Sequence, residues 1–322
     1  MKVVLEQTIY SRAAALFDAA AADHGLEWCF IQPLEEEQAL AFHQEGAEAF
    51  IIGTKKYSKE FFSALRPGTL VQRFGVGYTS VPVDLCKERG IRVGYTPGVL
   101  EAAVAEHAMA LIMAISRTVC TFDREMKAGK WNKIEGQELR GKTLALIGFG
   151  RIACEVAFIA RNGFRMRIAA YDVRPKLDAA AGALADDYFM NLDDCLENAD
   201  YVSLHLPDTP QTAGIVNADF LAKMKPTAFL INTARGGLID ERALFQCLEN
   251  KQIAGAALDV FAKEPYEPQG GNFQTLENVI LTPHCASNTV EANARMAGIC
   301  IDNCVSLAVG QPSELILIPQ KV

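Results

Sequence analysis

The sequence predicts an α/β protein built from two doubly wound parallel sheets, the second inserted into the first. Three observations carry this. Short apolar runs alternate with longer helical patterns along the whole chain, the signature of parallel strands covered on both faces. The series restarts at a glycine-rich turn over 148–153. The last helical pattern, "TVEANARMAGICIDNCVSLAVG" (289–310), lies beyond the second series and is read as returning to the first unit. With 322 residues, half of them hydrophobic, the chain can bury a large core, and its length suits one large or two medium domains.

In the first unit, strands are read at "KVVLE" (2–6), "EWCFI" (27–31), "AFII" (49–52), "TLVQRF" (69–74) and "IRVGY" (91–95). Helical patterns separate them. In "SRAAALFDAAAADHG" (11–25), Ser11 is the expected N-cap and Gly25 the stop. "TPG" (96–98) then punctuates the chain, and 99–130 reads as one long helix, with Glu101 and Lys127 placed to suit its dipole. The second series runs through "KTLALIGFGRIACEVAFIARNG" (142–163), "RIAAYD" (167–172), "ADYVSLHLP" (199–207), "TAFLINTARGG" (227–237), "IAGAALDVF" (253–261) and "NVILTPH" (278–284).

A net charge of −8 argues against nucleic acid or an anionic membrane as main partner, since both require a basic surface. It leaves room for a small anion, which one local arginine can hold. No apolar run approaches the roughly 18–20 residues of a membrane span, and the N-terminus lacks a signal-peptide layout. The nine cysteines form no C-x-x-C pair. Cys300 and Cys304, four apart on a helix, are read as buried thiols, because no histidine or acid completes a ligand set. No metal is expected, and the expected compartment is a reducing cytoplasm.

"TLALIGFGRIA" is an apolar strand entering Gly148-Phe149-Gly150-Arg151-Ile152-Ala153, the pattern G-x-G-x-x-A. Gly148 permits the tight turn and Gly150 the close approach of a pyrophosphate. The following helix N-terminus supplies N–H donors, and Arg151 can add a charged contact. Asp172 stands 22 residues beyond Gly150 at the end of the next strand, the place for a carboxylate that accepts from ribose hydroxyls. Such a carboxylate repels a 2′-phosphate, so NAD is favoured over NADP, although Arg174 can soften the discrimination. The plain alternative is a strand-to-helix turn with an unrelated surface acid.

Three further strand ends carry polar groups: Arg235 in "TARGG", Asp259 and Glu264 in "AALDVFAKEP", and His284 in "LTPHCAS". Carboxyl ends of parallel strands share one edge. Arg235 can hold a carboxylate through its planar fork, His284 can exchange a proton with a hydroxyl or carbonyl, and Glu264 can fix the imidazole tautomer and favour its charged form.

These residues, with "RFGVGY" (73–78), "TPG…VAEHAMALI" (96–112), "GKTLALIGFGRIA" (141–153), "VSLHLPDTPQT" (202–212) and "INTARGGLID" (231–240), resemble the D-isomer-specific 2-hydroxyacid dehydrogenase family from end to end. The resemblance implies a Rossmann NAD domain (99–285) inserted into a flavodoxin-like substrate domain (1–98 with 286–322), a cleft between them, and a homodimer formed through the NAD domains. It implies Arg235, Glu264 and His284 as catalytic residues and Asp259 near the nicotinamide carboxamide. Further cofactor contacts are implied at His205, Pro207, Thr212, Thr233 and Ala234. The expected reaction is hydride transfer between NAD(H) and a small D-2-hydroxy acid or 2-oxo acid. A phosphoglycerate-type activity and a non-catalytic, NAD(H)-sensing corepressor-like role are the alternatives. The chain ends soon after His284, which disfavours an added regulatory domain and a feedback-regulated biosynthetic role. An acid rather than a glutamine at 264 argues for proton transfer and against formate oxidation.

Gly75, Val76 and Gly77 can form a backbone nest for the substrate carboxylate. Arg73 is read either as a second anion contact or as a solvated charge, and Lys55 as solvated. The chain departs from the family pattern at Thr79 and Ser80, where an aspartate is usual, and at Glu101-Ala102-Ala103, where a threonine and an acid are usual. Both departures flank the expected cleft and leave substrate preference open. His107 is read as packed or capping, His24 and His43 as surface positions, and Trp28 and Trp131 as core or interface.

Overall fold

The central strands in the computed structural model have both faces covered, which is why they read as near-continuous apolar runs. The structure describes residues 1–78, 80–174, 179–311 and 317, so Thr79, part of one departure above, lies outside the described residues. Two compact units are present: Met1–Leu100 with Asn288–Val322, and Glu101–Ser287.

The first unit holds β1 (Lys2–Glu6), β2 (Glu27–Ile31), β3 (Ala49–Ile52), β4 (Leu70–Arg73) and β5 (Arg92–Gly94), parallel and ordered β2-β1-β3-β4-β5. This is the flavodoxin-like order, which reverses at β1 and β3. Helix Val290–Ala308 belongs to this unit, packing on helix Ala14–His24 and β4. Its Asn303 donates to Gln72 Oε1 on β4, so a buried amide pair satisfies itself. Cys300 and Cys304 are fully buried.

The second unit holds β6 (Thr143–Ile147), β7 (Arg167–Tyr171), β8 (Asp187–Phe189), β9 (Tyr201–Leu204), β10 (Phe229–Asn232), β11 (Gly255–Leu258) and β12 (Val279–Leu281), ordered β12-β11-β10-β9-β6-β7-β8 and all parallel. Alternate residues feed opposite cores. Ala145 and Ile147 face one cluster, with Val202, Leu230 and Leu258, while Leu144 and Leu146 face the other, with Tyr201, Ile231 and Ala257. Register aligns the strand ends. Ile147 pairs with Tyr171 and Leu204, Leu204 with Asn232, Asn232 with Leu258, and Leu258 with Leu281. The residues that follow, Gly148, Asp172, His205, Thr233, Asp259 and Thr282, therefore stand along one edge.

Three expectations change, and one strand is added. The helix read over 99–130 is two, Glu101–Ser116 and Val119–Lys127, bent by 63°. The Ser116 carbonyl accepts from Gln137 N at 2.8 Å, and Thr118 turns left-handed at φ 51°, so the hydrogen-bond ladder stops there. Ser11 does not cap the second helix: its hydroxyl donates to Thr8 O, and the helix starts at Ala14 behind Ala13. Gly25 does end it, at φ 64°. β8 had no reading in the sequence, being a three-residue edge strand without a fully buried side chain. His43 is buried, with Nδ1 2.7 Å from Ala47 O and Nε2 accepting from Arg66 N.

No single described helix is long and apolar enough to cross a membrane; the bent pair together passes that test, but Glu101–Ser116 is a core helix with nine buried residues.

The loops after β10 and β11 touch backbone to backbone. A Cβ on Gly236 would overlap the Phe261 carbonyl and the Ala262 nitrogen. Gly236→Ala should therefore cost about 1–3 kcal/mol or more of stability by overpacking. Urea denaturation checks this, and an unchanged midpoint would show that the two loops are not locked together.

Candidate active site

After β10, Asn232 staples the turn that carries the arginine. Its Oδ1 accepts from Ala234 N at 3.0 Å and its Nδ2 donates to Arg235 O at 2.9 Å. A short 3-10 turn, Gly236–Leu238, follows. Arg235 is partly buried, and Nη1 donates to Ala234 O at 2.6 Å. Burial draws its pKa below the ordinary arginine value, opposed by the carboxylates of Glu264 and Asp208. It remains a cation whose fork can take a planar anion.

Glu264 follows β11 and His284 follows β12. His284 Nδ1 lies 2.6 Å from Glu264 Oε2, while Glu264 Oε1 accepts from Phe261 N at 3.1 Å. Burial by itself raises the Glu264 carboxyl. The hydrogen bond and charge of His284, with the Phe261 N–H, outweigh it and hold Glu264 below its ordinary value. With Nδ1 turned to the carboxylate, Nε2 is the ring nitrogen able to exchange a proton with a substrate. His284 has a left-handed backbone, φ 52°, held by its N–H, which donates to Asp259 O at 2.7 Å and Thr282 O at 3.1 Å. A non-glycine residue there is strained, and such strain persists where the surroundings over-determine it.

Asp259 supplies that support. It has no exposed surface, and its oxygens accept from Thr282 Oγ1 at 2.6 Å, Cys285 N at 2.9 Å and Ala286 N at 3.0 Å. His107 Nε2 stands 3.5 Å from Oδ1 and 3.3 Å from Thr282 Oγ1. Burial raises the Asp259 carboxyl, but these donors dominate and bring it down to about 2. His107 was read as packed or capping and Cys285 had no reading; no local signal pairs residue 107 with residue 259. His107, Asp259 and Cys285 place ligand-type atoms within 4.8 Å of one another, and both Asp259 oxygens are already engaged by protein donors.

On the other side of β9, Gly148 turns at φ 88°, and a Cβ there would sit 2.9 Å from His205 O. Gly150 ends the turn as N-cap of helix Arg151–Phe164 with no side-chain cap, and open space surrounds its Cβ position. Thr233 Oγ1 is buried without a hydrogen-bond partner. A glycine cradle with room, an uncapped helix N-terminus and an orphaned hydroxyl fit a bound dinucleotide. Arg151 is mostly exposed, 3.9 Å from Glu101, and Ile152 is partly buried. Asp172 follows β7 and accepts from Phe149 N at 2.9 Å and from Arg174. Burial raises its carboxyl, but these donors bring it down to about 2.

His205 is hydrogen-bonded to Ser203 Oγ at 2.9 Å, and burial pushes its imidazole down to about 4, so it is neutral near pH 7. Thr212 Oγ1 donates to Pro207 O at 2.6 Å, which closes the loop after β9.

In the first unit, Gly75 turns at φ 141°, with the Arg73 guanidinium 2.8 Å from its Cβ position. Val76 and Gly77 are partly exposed. Arg73 is buried rather than solvated: Nη1 donates to Phe74 O, and its charge acts on the buried Glu6, which also accepts from Tyr57 OH at 2.9 Å. Lys55 is exposed.

The chain is similar to known proteins over most of its length. Residues 109–286 match the family model described as D-isomer specific 2-hydroxyacid dehydrogenase, NAD binding domain. The chain is 37% identical over 286 residues to a glyoxylate reductase of Thermofilum pendens, covering 87% of this chain and 83% of the relative. A Thermus thermophilus protein of known structure superposes with TM-score 0.86 at 32% identity, covering 99% of this chain and all of that one. An NADPH-dependent glyoxylate/hydroxypyruvate reductase from Sinorhizobium meliloti gives TM-score 0.83 at 29% identity, over 95% and 94%.

The Asp259 carboxyl, at about 2 against an ordinary 3.8, contributes stability above about pH 4 that is lost as pH falls toward 2. The contribution is about 2 kcal/mol. Asp259→Asn should lower stability at pH 7 by at least that order, and the gap from wild type should close near pH 2 in urea titrations. Equal stabilities at pH 7 would refute the role.

Proposed function

The chain belongs to the D-isomer specific 2-hydroxyacid dehydrogenase family, and on that premise we propose how its residues divide the work. It is an NAD-dependent oxidoreductase acting on CH–OH donors, and bound NAD(H) supplies or accepts the hydride. The Gly148–Gly150 turn and the helix N-terminus behind it hold the pyrophosphate, and Asp172 accepts from the adenosine ribose. Thr233, Ala234, His205, Pro207 and Thr212 contribute the remaining cofactor contacts, with Asp259 acting through the loop it anchors.

Arg235 grips the substrate carboxylate, and the backbone N–H groups of Gly75, Val76 and Gly77 form a separate anion nest in the first unit. His284 Nε2 gives a proton to the carbonyl oxygen during reduction and takes it back during oxidation. Glu264 holds Nδ1 and fixes the ring. The single observation that carries this reading is the 2.6 Å His284–Glu264 pair, with Glu264 also acting on the partly buried Arg235 charge. Glyoxylate and hydroxypyruvate are the proposed substrates, by likeness to the relatives. The Arg73 guanidinium turned into its own unit supports an unphosphorylated one.

A panel of glyoxylate, hydroxypyruvate, pyruvate, phenylpyruvate and 3-phosphohydroxypyruvate, followed by NADH absorbance, tests the reading. His284→Ala should lower kcat by roughly 10²–10⁴-fold, with NADH binding retained. Glu264→Gln should lower kcat with NADH binding retained, because the carboxylate that orients the ring through Nδ1 is gone. NADH binding without turnover of any member would sink the catalytic assignment.

A homodimer formed through the second unit is also proposed. Helix Val119–Lys127 buries none of its own residues, and Val119, Met126, Ile134 and Trp131 are exposed, Trp131 at 77%. Such an apolar surface suits a second copy. Trp131→Glu combined with Met126→Glu should convert a dimer to a monomer in light scattering; an unchanged mass would place the interface elsewhere. Nine unpaired thiols suit a reducing cytoplasm.

A further inference from the structure

The carboxylate read as the ribose acceptor is already saturated by its own chain. Asp172 Oδ1 accepts from Arg174 N and from Arg174 Nε, each at 3.0 Å. Asp172 Oδ2 accepts from Phe149 N at 2.9 Å and from Arg174 Nη2 at 2.8 Å. A carboxylate offers about four lone-pair sites, and all four are taken. The two backbone donors belong to the turn and stay. The two side-chain donors occupy the positions that ribose hydroxyls would need, and the same Nη2 reaches the Phe149 carbonyl at 2.6 Å. A ribose diol can therefore be accepted only after the Arg174 guanidinium swings away.

The Arg174 side chain is half exposed while the Asp172 carboxylate is mostly buried, so the guanidinium can leave toward solvent and rehydrate at the cost of one part-buried ion pair. Its main chain remains fixed, through Arg174 N on Asp172 and through the Tyr188 hydroxyl, which donates to Arg174 O. The released guanidinium stays tethered two residues from the carboxylate, close to where a phosphate on the ribose 2′-oxygen would meet the charge of Asp172. A planar fork of donors suits such a phosphate.

We infer that Arg174 is a two-position arm, competing with NADH for Asp172 in one position and gripping the 2′-phosphate of NADPH in the other, so that the protein accepts both cofactors. This rests on the reading of Asp172 as the ribose acceptor. A chain with Asp172 alone would exclude NADPH, and one without it would lose the ribose contact; the arm lets one carboxylate serve both.

The test is the dissociation constant of NADH and of NADPH, measured by cofactor fluorescence without substrate, for wild type, Arg174→Ala and Asp172→Ala. Wild type should bind both. Arg174→Ala should bind NADH roughly two- to fivefold more tightly, by removing the internal competitor. It should bind NADPH at least about tenfold more weakly, by removing a charge-assisted grip. The NADPH constant of wild type should also rise more steeply with salt than that of the variant. An NADPH-to-NADH ratio unchanged within about twofold in Arg174→Ala, or weaker NADH binding there, overturns the arm. Asp172→Ala separates the two readings. It should weaken NADH and shift preference toward NADPH; if it leaves NADH binding unaltered, the ribose assignment falls and the arm with it. If Asp172→Ala shifts the preference and Arg174→Ala does not, the arm alone falls.

Discussion

Asp259 is a carboxylate with no exposed surface, and the geometry of the proton-transfer pair depends on how it is satisfied. A buried charge survives only with donors to match it. The donors come from the segment that carries His284: the hydroxyl of Thr282 and the backbone N–H groups of Cys285 and Ala286. The Asp259 carbonyl takes the His284 N–H in addition. One acid therefore holds the loop on both sides of the histidine and keeps it in a left-handed conformation. Glu264, five residues further along the same chain segment, then meets the ring from the side.

Around that anchor the charges alternate in a way that suits an anionic, carbonyl-bearing ligand. Arg235 is the partly buried cation, with Glu264 and Asp208 acting on it. The His284 ring lies against Glu264, so its free nitrogen is defined by the bond its partner nitrogen makes. Donors already fixed in place need little reorganisation when charge moves, which is the source of electrostatic preorganisation. On the other half of the edge, Gly148 and Gly150 keep side chains out of the turn where a pyrophosphate would lie. The reversal of strand order at β6 and β9 separates these two halves, as ligand sites in open parallel sheets require.

Most of the strands were legible because burial on both faces leaves an unbroken apolar run, whereas β8 was missed because it is short, partly exposed and at an edge. The helix over 99–130 reads as continuous because no glycine or proline interrupts it before Gly129. What breaks it is a hydrogen bond from Gln137, a residue beyond the helix itself, to the Ser116 carbonyl. His43 reads as a surface residue because Gln44 and Glu45 follow it at the end of its helix. Its burial depends on Arg66 and Ala47, which meet it only in the folded unit.

The sequence by itself determined the two parallel-sheet units, the glycine turn with Asp172, and the residue types that end β10, β11 and β12. Those are local properties: periodicity sets which face is buried, and a glycine or a polar residue after an apolar run marks where the strand stops. Only the tertiary structure decided which of these groups meet. Strand order and register bring Glu264 to His284, and helix packing brings His107 to Asp259 across 152 positions of chain. The same packing turns Arg73 into its own unit and closes Arg174 over Asp172. Hydrogen-bond partners distant in sequence are selected by geometry that no short window of residues contains.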